Sequence, residues 1–238
     1  MNVYLNKVTG IEDAIISMYM SKRHWTKELD DQIRMECFRR ISPKGYVPYQ
    51  DRMYIDDWMT KLVKIGQKHP TILRFIDLSV TVEGLHRGGQ DDWDSHAKRF
   101  DNRIIRSSTR LSEYNNEKSE WYEGKIMTTD EALKLLDMEL PDNIVTADGV
   151  MVRTTNGYIR EDLAKDRDTK RGLYMLSIPS NFIFKCCLPE FAHVYKERGM
   201  FGGAHDEVKN CCESIVDQLE MLLPWFNREF LLSLSSNL

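Results

Sequence analysis

The sequence predicts an α+β fold, a mixed sheet with packed helices and an inserted β-meander. Three observations carry this. Apolar residues recur at helical spacing near both ends, as Ile11, Ile15, Met18 and Tyr19 and again as Phe191, Val194 and Tyr195. Two stretches, Leu73 to Val82 and Asn181 to Cys187, are rich in β-formers. Between them, Asp148-Gly149 and Asn156-Gly157 separate short β runs, a strong hairpin signal.

The totals fit one domain, or one domain with an insertion. A chain of 238 residues is long enough to bury a core of its own. Its 42% apolar and 29% charged residues are ordinary for a globular protein. A net charge of −4 argues against a nucleic-acid polymer as partner but leaves room for a local basic pocket. No apolar run is long enough to span a membrane and no signal-peptide pattern appears, so the chain reads as cytoplasmic. The five cysteines are Cys37, the pair Cys186-Cys187 and the pair Cys211-Cys212. Two vicinal pairs and a singleton make a poor disulfide framework and lack C-x-x-C spacing, so they read as buried thiols and no metal is expected.

Each element follows in order. Met1 to Val8 alternates and reads as a strand. Thr9 is placed to cap a helix from Ile11 to Met20. A second helix runs from about Lys27 to Arg40, and Ser42-Pro43-Lys44-Gly45 is a turn. A third helix, about Ile55 to Gln67, carries Trp58, Leu62 and Ile65 and stops at His69-Pro70, because the residue before a proline avoids helical angles. Phe75, Leu78, Val80 and Val82 then recur with β period. Arg103 and Arg106 read as one helical face at i, i+3. Tyr114 to Lys125 reads as an exposed loop. Thr129 is placed to cap a helix from Asp130 to Met138, and the three-stranded meander follows. Arg160 to Asp168 is charged and reads as helical.

The stretch from Arg171 to Arg198 draws the rest together. An apolar run broken by Pro179 leads into the β run Asn181 to Cys187, and an amphipathic helix spans Pro189 to Arg198. Pro189 in the first turn loses no needed N–H, and Gly199 is a plausible stop. His193 and Arg198 fall outside the Phe191–Val194–Tyr195 face. The closing helix runs on to Leu223.

This stretch resembles the flavin-dependent thymidylate synthases. In that family an arginine precedes an apolar strand, an Asn-x-Arg-x-x-x-His helix follows, and an arginine closes it. Arg171, His193 and Arg198 match, whereas Cys187 stands at the usual asparagine and Pro189 at the usual arginine. Ala204-His205-Asp206-Glu207-Val208 echoes the family's Ala-Gln-Trp-Glu-Ile. Upstream, His69 and Arg87 match a histidine and an arginine that flank a strand. Gly88 to His96 looks like an insertion. Arg103 matches the last arginine of the family's Arg-His-Arg, with Asp101 and Asn102 at the first two positions. Ser108-Thr109-Arg110 matches its Ser-x-Arg. The family core is mostly helical where this chain carries the insert at about residues 115–165.

The resemblance implies FAD as cofactor, with NADPH and methylenetetrahydrofolate as co-substrates. It also implies a one-carbon unit passed to C5 of dUMP and a homotetramer with shared active sites. By residue, it implies Ser108, Arg110, Arg171 and Arg198 at a pyrimidine deoxynucleotide, with Arg198 also polarising the base. His69, Arg103, Arg106, Cys187 and His193 fall at flavin positions. Paired arginines suit a nucleotide monophosphate because each guanidinium meets phosphate oxygens in a fixed fork. The altered flavin loop leaves two alternatives open: another pyrimidine nucleotide such as dCMP, or a nucleotide-binding protein without catalysis. Arg103 and Arg106 are equally placed to pair with Asp101 or Glu113.

Overall fold

The computed structural model describes residues 1–42, 45–46, 54–96, 103–108, 117–165, 173–199 and 202–234. They fall into two compact units. The larger comprises Asn2–Val82, Asp91–Ile105 and Phe182–Leu238, and the smaller Met1, Glu83–Gln90 and Arg106–Asn181. No described helix is long and apolar enough to cross a membrane.

The larger unit is built on a sheet of order β1-β4-β9-β5, with β1 at Asn2–Thr9, β4 at Asp77–His86, β5 at Arg103–Arg106 and β9 at Pro179–Cys187. In β4, Leu78, Ser79, Val80 and Val82 are all buried, as expected of an inner strand covered on both faces. In β9, Phe182, Phe184 and Cys186 point inward while Ile183 is exposed, the period of a strand. Helices α1 (Ile11–Ser21), α2 (Lys27–Arg40) and α3 (Tyr54–Gly66) pack on one another, burying Ile11, Ile15, Ile33, Trp58 and Leu62. Helix α4 spans Arg87–His96, the stretch that reads as an insertion. Its Trp93 is 1% exposed and lies 5.0 Å from the Phe184 ring and 6.2 Å from that of Phe182.

The larger unit closes with α6 (Leu188–Arg198), α7 (Asp206–Leu222) and α8 (Arg228–Leu234), numbering the helix Thr129–Leu135 of the smaller unit α5. Arg228 knots the three together. Its Nε donates to the Tyr195 hydroxyl at 3.0 Å, and its guanidinium reaches Glu213 and Asp217 at 2.9 Å each. Burial and the Glu213 carboxylate push the Tyr195 hydroxyl up to about 12, so it stays a neutral donor to Glu213 while accepting from Arg228.

Several sequence expectations are corrected here. Thr9 is the last residue of β1 rather than a helix cap; the N-cap of α1 is instead Gly10, with φ +83 and no side-chain cap bond. Only glycine fits, because a Cβ there would run into the carbonyl oxygen of Phe75 and left-handed backbone is costly for other residues. Phe75 is not in a strand. Pro70–Phe75 forms a 3-10 turn, anchored by fully buried Leu73, and leaves Phe75 53% exposed. Arg103 and Arg106 do not share a helical face. They lie in β5, where residues three apart point to opposite sides, and the β-branched pair Ile104-Ile105 favours that strand. Gly199 does end α6, but in extended backbone, and a Cβ there would lie 2.7 Å from the Tyr195 ring.

In the smaller unit the meander matches expectation: β6 (Asn143–Thr146), β7 (Gly149–Thr154) and β8 (Gly157–Arg160) pair antiparallel across the two predicted turns. Asn181 fastens its neighbours. Its Oδ1 accepts from the Gly84 amide at 2.9 Å, and its carbonyl accepts from the Ser107 amide at 2.8 Å. Two corrections fall here. Of the presumed exposed loop, the described residues from Glu117 on hold a fully buried Ser119, whose amide donates to the Ser177 carbonyl at 2.8 Å. Glu161–Leu163 is a single 3-10 turn, and Asp166 to Asp168 lie outside the described residues.

Helix α5 is capped by Thr128 rather than Thr129, and it ends at Leu135, short of Met138. The winning geometry is a reciprocal capping box. The Thr128 hydroxyl accepts from the Glu131 amide at 3.2 Å, and the Glu131 carboxylate accepts from the Thr128 amide at 2.7 Å. Lys118 also reaches Glu131 at 2.7 Å. The Lys118 ammonium, and then the Thr128 amide, hold the Glu131 carboxyl below its ordinary value. A carboxyl depressed in the folded state contributes stability above its unfolded pKa, about 4.3, and loses it as pH falls through the lowered value. Thermal melts between pH 5 and 3 should therefore lose less stability for Glu131→Gln than for the parent. Parallel melting curves across that range would contradict this role.

Candidate functional site

Within the larger unit, the candidate site is centred on the end of α6. Strand β9 delivers the chain to this helix, and the Leu188 amide donates to the Ile76 carbonyl at 2.8 Å, fixing the helix start against the 3-10 turn before β4. Pro189 occupies the first turn, where no intrahelical N–H is needed. Leu188, Phe191, Ala192, Val194 and Tyr195 are buried, so the helix is clamped along most of its length. Cys187, the residue before it, is 5% exposed. A cysteine enclosed in this way packs as a small hydrophobe.

Arg198 closes the helix, and here the structure departs from the sequence picture of a residue standing clear of the core. Its side chain is only 14% exposed and its guanidinium meets Asp92 of α4 at 3.0 Å. Its Nε is buried with no hydrogen-bond partner among the described residues. A buried guanidinium nitrogen without an acceptor is costly, which marks a place where an acceptor from outside the chain would be stabilising. The apolar stem explains the burial, since arginine lays its methylenes along hydrophobic surface. Asp92 was not legible as a partner, because nothing in an acidic pair beside a tryptophan points to an arginine so far along the chain.

The remaining predicted residues are distributed as follows. His193 is half-buried on α6. Arg103 is 68% exposed on β5, with Asp77 3.9 Å away, although Asp77 is held more closely by Lys185 at 2.5 Å. His69 is exposed and lines a cleft of about 990 Å³ together with lysines of α3. Arg106 and Ser108 belong to the smaller unit and are half-buried. Arg110 and Arg171 lie outside the described residues.

The buried thiols are unreactive by environment. Burial pushes Cys37 up to about 12 and raises Cys186, Cys211 and Cys212 further, so none offers a thiolate near neutral pH. The arrangement is suited to binding and polarising an anion through arginine, rather than to attack by a side chain.

Comparison with solved structures relates this geometry to known proteins. The flavin-dependent thymidylate synthase ThyX from Helicobacter pylori, solved with FAD and dUMP, superposes with a TM-score of 0.56 at 11% identity, covering 96% of this chain and 99% of that one. This chain has the flavin-dependent thymidylate synthase fold. The UMP/dUMP methylase PolB from Streptomyces cacaoi, bound with 5-Br dUMP, superposes with a TM-score of 0.53 at 11% identity, covering 94% and 92% of the two chains. The same methylase bound with 5-Br UMP gives a TM-score of 0.52 at 9% identity. No protein-family model matches the sequence, and no curated protein matches it. At such low identity, tertiary structure keeps a likeness that most positions of the sequence have lost.

Proposed function

We propose that the protein is a flavin-dependent methyltransferase that passes a one-carbon unit from methylenetetrahydrofolate to C5 of dUMP, giving dTMP, with NADPH as reductant. The observation that carries this reading is the end-to-end fold match to a ThyX solved with FAD and dUMP, joined to a buried arginine with an unmatched donor at a position where the resemblance expects the nucleotide. Arg198 binds the pyrimidine nucleotide and polarises its base, since a fixed cation stabilises electron density growing on the ring. Ser108, Arg110 and Arg171 complete the phosphate contacts. A homotetramer is part of the same reading.

The residues present fit a flavin. His69 and Arg103 are exposed and cationic or polar, suited to a phosphate-bearing cofactor, with Arg106, His193 and the largely enclosed Cys187 as further contacts. FAD supplies the redox step when bound, and the protein binds, orients and excludes water.

A second reading has its own support. A fold match to a UMP/dUMP methylase supports C5 modification of another pyrimidine nucleotide such as UMP, and the altered flavin loop leaves dCMP as a further candidate. Titration of purified protein with FAD, followed by product analysis with dUMP, UMP and dCMP, tests both. Flavin uptake with dTMP formed from dUMP is the expected result. Flavin uptake with turnover of another nucleotide selects the second reading, and a colourless protein that takes up no FAD overturns both.

A further inference from the structure

We propose that Asp92 is a specificity-determining residue that reads the base of the nucleotide, accepting the N3–H of a uracil ring beside the donor of Arg198. The inference rests on the nucleotide reading above and deepens it. Asp92 belongs to α4, the stretch that reads as an insertion, so the resemblance gives it no role.

Arg198 meets Asp92 at 3.0 Å, and their side chains are 14% and 34% exposed. The carboxylate is therefore the member of the pair that a ligand reaches more readily. The arginine keeps a buried Nε without an acceptor among the described residues. Fully buried Cys212 of α7 lies close enough for both charges to act on its thiol, so the pair stands beside a wall of low polarity. Buried Trp93, packed 5.0 Å from the Phe184 ring, fixes the rotation of α4 and with it the direction of Asp92.

Charge decides which part of a nucleotide suits this pair. An arginine balanced by a carboxylate carries little net charge. A dianionic phosphate is repelled by the carboxylate at short range and gains little from the pair as a whole. An uncharged ring meets no such repulsion and gains a directional donor and acceptor together.

The order of donors and acceptors then narrows the base. Uracil runs acceptor, donor, acceptor along O2, N3–H and O4, so a donor beside an acceptor is matched whichever carbonyl the arginine takes. Cytosine runs acceptor, acceptor, donor along O2, N3 and its amino group. The same pair is matched there in one order only, and a carboxylate opposite N3 meets a lone pair. A carboxylate has about four acceptor sites, so the contact with Arg198 leaves capacity for a ring N–H.

Calorimetric titration of the whole protein with dUMP, dCMP and N3-methyl-dUMP tests this. These nucleotides share one deoxyribose phosphate, so ratios of their affinities report the base. The parent should bind dUMP at least about tenfold tighter than dCMP or N3-methyl-dUMP, the scale of one charge-assisted contact. In Asp92→Asn the preference over dCMP should fall to within about threefold, because an amide turns to offer either donor or acceptor. In Asp92→Ala the penalty for the methyl group should shrink, since the acceptor and its bulk are both gone. A purely structural Asp92 would instead lower the melt and weaken every nucleotide alike, with the ratios kept. If the variants fail to fold, the parent's ratios still decide. Unchanged ratios in folded variants, or parent binding of dCMP or N3-methyl-dUMP as tight as that of dUMP, overturn this inference alone. Absence of saturable dUMP binding in the parent overturns the nucleotide reading and this inference with it.

Discussion

Arg198→Ala is expected to lower affinity for the protein's pyrimidine nucleotide by roughly 10- to 150-fold, the equivalent of one charge-assisted contact of about 1.5–3 kcal/mol. The guanidinium is largely buried, one of its nitrogens meets Asp92 at 3.0 Å, and its Nε has no acceptor among the described residues. The substitution removes the donor offered to the ligand and the buried stem together. Stability should fall as well, by about 1–2 kcal/mol, because the stem packs and Asp92 loses its partner. Asp92 is 34% exposed, so water softens that second loss.

Arg198→Lys separates the two effects. Lysine keeps the charge for Asp92 but not the planar fork, so the melt should recover most of the way while affinity stays low. Nucleotide titration beside a thermal melt reads both. Parent affinity in the alanine variant would mean that Arg198 serves the fold alone.

Trp93→Ala is expected to destabilise the protein by about 3–5 kcal/mol, the usual range for truncating a large buried aromatic. Trp93 is 1% exposed and packs between two phenylalanine rings of β9. No polar rearrangement can fill the space, and the neighbouring rings are held by the strand. For a chain of this size the midpoint of thermal unfolding should drop by roughly 6–20 °C. The effect should also reach the candidate site. Trp93 anchors α4, and the residue before it is the Asp92 that holds Arg198. A variant that still folds at low temperature should therefore bind nucleotide more weakly than the parent. Trp93→Phe should restore most of both properties. A melting point within a few degrees of the parent in Trp93→Ala would show that α4 is not anchored there.

Regular local chemistry was readable from the chain alone. Helix α2 was placed at about Lys27 to Arg40 and spans those residues, because a helical run is a local property. The meander was placed because Asp-Gly and Asn-Gly turns act over four residues. The resemblance at α6 was readable because a short motif keeps its spacing within one helix. Ambiguity entered wherever two local patterns competed. Phe75 continued a β period, yet Pro70 and the burial of Leu73 made the segment a 3-10 turn. Arg103 and Arg106 had helical spacing, yet the run between them became a strand of the sheet. Thr129 read as the cap, yet the reciprocal bonds between Thr128 and Glu131 made Thr128 the cap.

By itself the sequence determined the α+β class, the three-stranded meander and the helix that ends at Arg198. Tertiary structure alone decided that Arg198 is buried against Asp92, that Gly10 admits no side chain, and that Lys22, just after α1, opens onto one cleft with lysines of α3. The physical reason is range. Capping, turn geometry and periodicity act over a few residues and leave a local mark, whereas an ion pair, a steric limit or a shared cavity depends on segments brought together only when the core closes.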